Sequence, residues 1–210
     1  MIVDNFDRIR KHLRFDADND SDWFYHLQII IRRKDDGVTI KKNCKTVRSY
    51  YIRSLQYYDD HIEQIKDMCR MFHARAYIRL NPSSWKKCVL MAFGELATYL
   101  RSNQCSSLRK LTDELAGKYN ADGIEKTWII DIDTKDKGVL LDAVNLADRC
   151  LPVGHKIIDC IPTKNGYHLI SKPFNLKQFK ETWEEESVEV VPDVHKNNPT
   201  LLYYEDDDAQ

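Results

Sequence analysis

The sequence predicts an α+β protein, and three observations predict it. Alternating and helical hydrophobic periods follow one another along most of the 210 residues, with no internal repeat and no low-complexity linker. Gly37, Gly123, Gly154 and Pro173 punctuate the boundaries between these segments. From 127 onward the order is strand, helix, strand, strand, helix, strand. The first of those strands ends on two carboxylates, Trp128-Ile129-Ile130-Asp131-Ile132-Asp133.

Residues 1–22 read as an N-terminal arm and linker. A short helix over 6–13 leads into Asp16, Asp18, Asp20 and Asp22, an alternation similar to a calcium loop. It lacks the loop glycine, and Leu27 stands where the closing glutamate would be, so a solvated linker is expected. Residues 23–122 form an α/β unit. A strand over 23–33 turns at Asp35-Asp36-Gly37 into a second strand. Lys41, Lys42, Lys45, Arg48 and Arg53 follow, interleaved with Tyr50 and Tyr51, a mixture that suits a nucleic-acid backbone and stacked bases. The other reading of that run is a solvated strand face. Leu55, Tyr58, Ile62, Ile65, Cys69 and Phe72 recur at helical spacing over 55–73. Residues 75–81 alternate as a strand, with Arg75, Tyr77 and Arg79 on one face. Pro82-Ser83-Ser84 starts a long helix whose stripe is Trp85, Val89, Ala92, Phe93, Leu96 and Leu100, and 106–119 is a further helix.

Residues 123–204 follow as a second unit. After the acid-ended strand comes a helix over 137–150, with Leu140, Ala143, Val144 and Ala147 on one face. Strands are expected at 156–161 and 167–171, joined by the turn Thr163-Lys164-Asn165-Gly166. A helix over 176–186 buries Leu176, Phe179 and Trp183. Strands follow at 188–193 and 200–204, and 205–210 is an acidic tail. The order β-α-β-β-α-β is that of a ferredoxin-like or RNA-recognition-motif-like (RRM-like) fold, whose first strand lies between the third and the fourth.

That order has a chemical consequence. Asp131 and Asp133 share one strand face, roughly 6.5–7 Å apart at Cα. Carboxylates so close repel unless a cation or donor lies between them, and a divalent metal is one natural occupant. On the hexapeptide alone, the other reading leaves both acids in water past the strand end. The expected neighbours bring His168 on one side and Asp193, at the end of its strand, on the other. Three acids and a histidine from three strands then meet on the open sheet face.

Composition sets the remaining bounds. Hydrophobic content of 42% and charge of 31% describe a soluble globular chain. No run approaches the roughly 18 apolar residues of a membrane span. Acids stand near the N-terminus where a signal peptide carries its basic region, so a cytoplasmic location without membrane contact is expected. The six cysteines are scattered without a CxxC pair, which argues against a zinc site or a disulfide scaffold. The net charge of −1 hides an asymmetry: residues 1–120 hold 22 Lys and Arg against 15 Asp and Glu, and residues 121–210 hold 10 against 18. A basic half beside an acidic half fits a polyanion-facing surface next to a metal-facing one; the alternative is accident of composition plus the acidic tail.

The acid-ended strand 128–133 and the segment Thr163-Lys164-Asn165-Gly166-Tyr167-His168 resemble the first two motifs of the archaeo-eukaryotic primase superfamily, the primase–polymerases. Val190-Val191-Pro192-Asp193 is similar to the third motif, a hydrophobic residue and an acid on the last palm strand. Members also carry an α/β unit before the palm. Thr163 stands where a serine is usual, and Pro192 directly precedes the third acid, which leaves Glu189 as its substitute. The resemblance implies a metal-dependent nucleotidyltransferase. Asp131, Asp133 and Asp193 would be its catalytic acids and ligands of Mg²⁺ or Mn²⁺, and Thr163, Lys164, Gly166 and His168 would lie at the incoming nucleotide. Arg75, Arg79, Arg48 and Arg53 are the expected nucleic-acid contacts. The expected partners are a template or primer and nucleoside triphosphates, with a separate helicase or replication protein. The alternatives are a non-catalytic RRM-like nucleic-acid-binding protein, a degenerate primase relative, or a metal-dependent nuclease.

Overall fold

The computed structural model describes residues 1–15, 22–33, 35, 43–103, 108–186 and 191–206. Along the first part of the chain the elements are β1 (Ile2–Asp4), α1 (Phe6–Arg10), β2 (Trp23–Arg32), β3 (Cys44–Ile52), α2 (Leu55–Asp60), α3 (Ile62–Met71), β4 (Arg75–Ile78), β5 (Ser83–Ser84), α4 (Trp85–Arg101) and α5 (Leu108–Ala116). There follow β6 (Trp128–Ile132), α6 (Lys137–Arg149), β7 (Ile157–Pro162), β8 (Tyr167–Ser171), α7 (Leu176–Glu186), β9 (Asp193–His195) and β10 (Thr200–Glu205). The protein is therefore α+β, with two antiparallel sheets. The first has the order β1-β10-β4-β2-β3, with β5 also pairing β2, and the second has the order β7-β8-β6-β9.

One large apolar cluster covers the first sheet and reaches the second, and smaller clusters lie beside it. Tyr25, Leu27 and Ile29 of β2 point to one side, where they share a core with Ile9, Tyr58, Ile65 and Cys69 of the first three helices. At one end of the opposite face, Phe24 packs with Cys88 of α4 and Leu111 and Leu115 of α5. In the second sheet Ile130, Ile132 and Leu169 meet Ala143, Leu146, Phe179 and Trp183 from α6 and α7. Fully burying one such side chain contributes about 1.5–3 kcal/mol, so this layer holds β6 firmly from behind. The alternate residues Ile129, Ile161 and Ile170 face the other way and join the core that holds Ile78 and Leu202 of the first sheet. The second sheet thus lies between a helical layer and the first sheet. Side-chain caps start several of the helices: Ser54 accepts from the Tyr57 amide at 3.0 Å, Ser84 from Lys87 at 3.3 Å and Asp136 from Gly138 at 2.7 Å.

Several expectations need correction. Residues 1–13 are not an arm: β1 pairs with β10, and Phe6, Ile9 and Leu13 are core residues. The expected second unit does not run to 204, because β10 crosses back and lies between β1 and β4 of the first sheet. The single helix over 55–73 is two helices meeting at His61, whose φ of −104° and ψ of −1° leave helical geometry. The stripe of α4 is turned. Trp85, Ala92 and Leu96 face the core with Cys88 and Tyr99, while Val89, Phe93 and Leu100 are exposed, because α5 packs along the Cys88 row. The acid alternation 16–21, the hairpin 36–42 with Lys41 and Lys42, Glu189 with Val190, and residues 207–210 lie outside the described residues. Among the described residues no helix is long and apolar enough to cross a membrane.

Candidate functional site

β6 is the inner strand that brings the site together. Its register sets Asp131 opposite His168 of β8 on one side and Asp193 of β9 on the other. Directly opposed residues of an antiparallel pair project to the same face. Asp131 Oδ1 stands 3.3 Å from His168 Nε2, and Asp131 Oδ2 stands 4.0 Å from His195 Nε2. The other nitrogen of His168, Nδ1, is 2.9 Å from the hydroxyl of the fully buried Thr200. The imidazole is thereby held at both ends and cannot swing away from Asp131. Burial pushes the Asp131 carboxyl up, but the His168 hydrogen bond and the charges of His168, His195 and Arg32 outweigh it and hold the group below the usual carboxylate range. Asp131 is therefore a carboxylate.

Asp131 and His168 line a cavity of about 510 Å³ whose opposite wall comes from the first sheet. That wall carries Ile30 and Arg32 of β2, Cys44 of β3, Arg75 and Tyr77 of β4 and Leu201 of β10. Asp133, Thr163, Lys164, Asn165, His195 and Asn198 complete the rim. The cations there differ in how they are engaged. Arg75 is buried, forms a two-pronged ion pair with Asp35 and lies over the Tyr204 ring at 4.5 Å. Lys164 donates to the Tyr204 hydroxyl at 2.7 Å and pairs with Asp206 at 3.2 Å, which together hold its pKa above the usual lysine value. Arg32 donates to the Tyr77 hydroxyl at 3.2 Å, and among the described residues it has no carboxylate within ion-pair distance.

The expected site residues divide. Asp131, Asp133, Thr163, Lys164, His168 and Arg75 line one cavity. Asp193 is exposed, opens its strand rather than closing it, and is not part of the cavity wall. Gly166 is not part of that cavity wall, and its packing is what calls for glycine. It packs against the backbone where β6 ends, and a Cβ there would meet the Ile132 carbonyl and lie 2.7 Å from Thr134 N and 2.8 Å from Thr134 O. The Thr163 hydroxyl is spent on the turn itself, accepting from the Gly166 amide at 3.1 Å. Arg79 is half-buried and donates to the Asn197 carbonyl, so it braces a loop. Arg48 and Arg53 are exposed, lie over Tyr50 at 4.8 Å and Tyr57 at 5.6 Å, and do not reach the cavity. Arg48 pairs with Ile29, whose side chain belongs to the helix-covered face.

Arg32 and His195 were not expected. His195 was findable, because the alternation Asp193-Val194-His195 puts it on the face of Asp193. Arg32 was read only as the exit of a strand, since nothing local says that Asp131 lies opposite. The oxygen donors of Asp131 and Asp133 suit a hard cation. Among the described residues, however, no three His, Cys, Asp or Glu side chains stand close enough together to hold a metal ion. Two carboxylates alone do not make an all-protein cage.

The chain matches no known protein-family model, no curated protein and no solved structure.

Proposed function

We propose that β6 to β9 with α6 and α7 form a ferredoxin/RRM-like palm, and that the cleft in front of it is the active site of a metal-dependent nucleotidyltransferase resembling a primase–polymerase. One observation carries the reading. A carboxylate floor, Asp131 with Asp133, faces a wall that carries Arg32, beside the Asp35-paired Arg75, across a cavity large enough for a nucleotide. Such a site suits a polyphosphate that touches cations on one side and a carboxylate-bound ion on the other.

In this reading Asp131 and Asp133 would hold Mg²⁺ or Mn²⁺, which would supply Lewis-acid screening of phosphate charge. His168 orients Asp131 and keeps it ionised. Arg32 and Lys164 take phosphate oxygens, while Arg75, neutralised and locked by Asp35, shapes the wall. The apolar residues Ile30, Ile129 and Leu201 exclude water along one side. The wider expectations, a template or primer and a replication partner, belong to this proposal.

The test is extension of a labelled primer–template with nucleoside triphosphates and Mg²⁺ or Mn²⁺, run beside Asp131→Asn/Asp133→Asn. Metal-dependent extension that the double variant loses supports the proposal. Shortening of the label by the wild type indicates a nuclease. Binding of the duplex without extension under either metal rejects catalysis and leaves a nucleic-acid-binding module.

A further inference from the structure

Two buried asparagines join the sheets, one near each end of β6. Asn5 is 2% exposed, and its Nδ2 donates to the Pro162 carbonyl at 2.9 Å and the Leu201 carbonyl at 3.0 Å. Pro162 ends β7 in the second sheet and Leu201 lies on β10 in the first, so a single amide group takes one carbonyl from each sheet. Pro162 stands level with Tyr167 and hence with Ile132, the last residue of β6. Asn81, 6% exposed, follows β4 and holds the other end. Its Nδ2 donates to the Thr127 carbonyl at 2.9 Å and the Lys196 carbonyl at 3.2 Å, and its Oδ1 accepts from the Thr127 amide at 2.8 Å.

The gripped groups adjoin the cleft. Leu201 lines the cavity, Pro162 precedes Thr163, and Lys196 follows His195, both of which line it. Apolar contact between the sheets is non-directional and tolerates sliding. Hydrogen bonds from a short, rigid carboxamide do not, because their length and angle are narrowly set.

We propose that Asn5 and Asn81 are positioning residues, two struts that hold the cleft at a fixed width. Arg32 on one sheet and Asp131 with His168 on the other then bear on a single polyphosphate without a closing motion. This rests on the reading of the cleft as a polyphosphate site.

The test uses the full chain with Asn5→Ser and Asn81→Ser, which are too short to bridge and bury no charge. The control is Phe179→Leu, in the helical layer behind the second sheet, which lowers stability without touching a strut. The probe is inorganic tripolyphosphate with Mg²⁺, followed by calorimetry. Each serine variant is expected to bind about tenfold more weakly, because the cleft is no longer held at one width, while the control stays within about twofold. Hydrogen exchange is expected to rise about tenfold in 163–166 for Asn5→Ser and in 193–196 for Asn81→Ser, and in neither for the control. Unchanged local exchange in the serine variants overturns the proposal. If tripolyphosphate does not bind the wild type, the polyphosphate reading falls and local exchange alone decides the struts. If a serine variant does not fold, the wild type decides: the Thr127 amide exchanges as slowly as the β6 core if Asn81 is a rigid strut, and much faster if it is not.

Discussion

His168 and Asp131 face each other across paired strands, Nε2 to Oδ1 at 3.3 Å, while Thr200 holds the far nitrogen of the same imidazole at 2.9 Å. The carboxylate is aimed by a residue that is itself aimed, and this chain of contacts spans both sheets. Asp131→Asn keeps the shape and removes the charge. In the proposed reading, nucleotidyl transfer is expected to fall by at least about a hundredfold, the range for loss of one electrostatic contact in an active site. Stability is expected to fall by only about 1 kcal/mol. Primer extension and urea unfolding measure the two quantities separately. Transfer at near wild-type rate would remove Asp131 from the site.

The two arginines of the facing wall predict opposite outcomes. Arg32 has only a phenol as its partner among the described residues, so Arg32→Gln leaves stability within about 0.5 kcal/mol. In the proposed reading it raises the nucleotide KM about tenfold through loss of a charge-assisted contact. Arg75→Gln strands the buried Asp35 and costs about 3–5 kcal/mol. Melting curves together with KM values separate the two roles. Equal destabilisation by both changes would contradict it.

Gly166→Ala forces a methyl group against the exit of β6. Overpacking of this kind costs about 1–3 kcal/mol, and the strand end bearing Asp133 has to move. Activity and stability therefore fall together, as followed by chemical denaturation and extension. A fully stable, fully active alanine variant would show that the contact relaxes freely.

A pH effect is expected where α1 meets β7. Burial pushes the Asp159 carboxyl up, but the hydrogen bond from His12 at 2.8 Å, the Cys160 amide and Arg8 outweigh it and leave the group below its ordinary range. A folded-state pKa below the unfolded one contributes stability that is present above the unfolded value of about 4 and is lost as pH falls through the folded value. Asp159→Asn should therefore cost about 1–2 kcal/mol at neutral pH, and its difference from the wild type should shrink in acid. Urea titrations at pH 7 and pH 3 read this directly; a gap that widens at pH 3 has the wrong sign.

Arg48→Ala and Arg53→Ala are expected to leave tripolyphosphate affinity within about twofold, as surface changes remote from a site do. Both residues stand over tyrosines away from the cavity. Calorimetry checks this, and a tenfold loss would place the anion site elsewhere.

The strand at Trp128–Ile132 and the turn from Thr163 to Gly166 were legible in the sequence. Each depends on residues within a few positions of one another, through the two-residue strand period and local turn chemistry. Asp133, expected on the strand face of Asp131, lies exposed just past the strand end and shares only the cavity wall with it. The opposition of His168 to Asp131 also followed from the order of elements, and the pairing of β6 with β8 places it there. Local pattern misplaced the ends of the chain. Residues 1–13 are charged enough to read as an arm, yet their few apolar side chains, Phe6, Ile9 and Leu13, are buried. It misread α4 because an apolar arc wider than one contact row cannot say which row meets α5. Only the tertiary structure decided that Arg32 and Arg75 face the acids, that Arg79 braces a loop, that β10 returns to the first sheet, and that Asn5 and Asn81 join the two. The physical reason is that these relations come from burial and hydrogen bonding between segments far apart in the chain, which local periodicity does not encode.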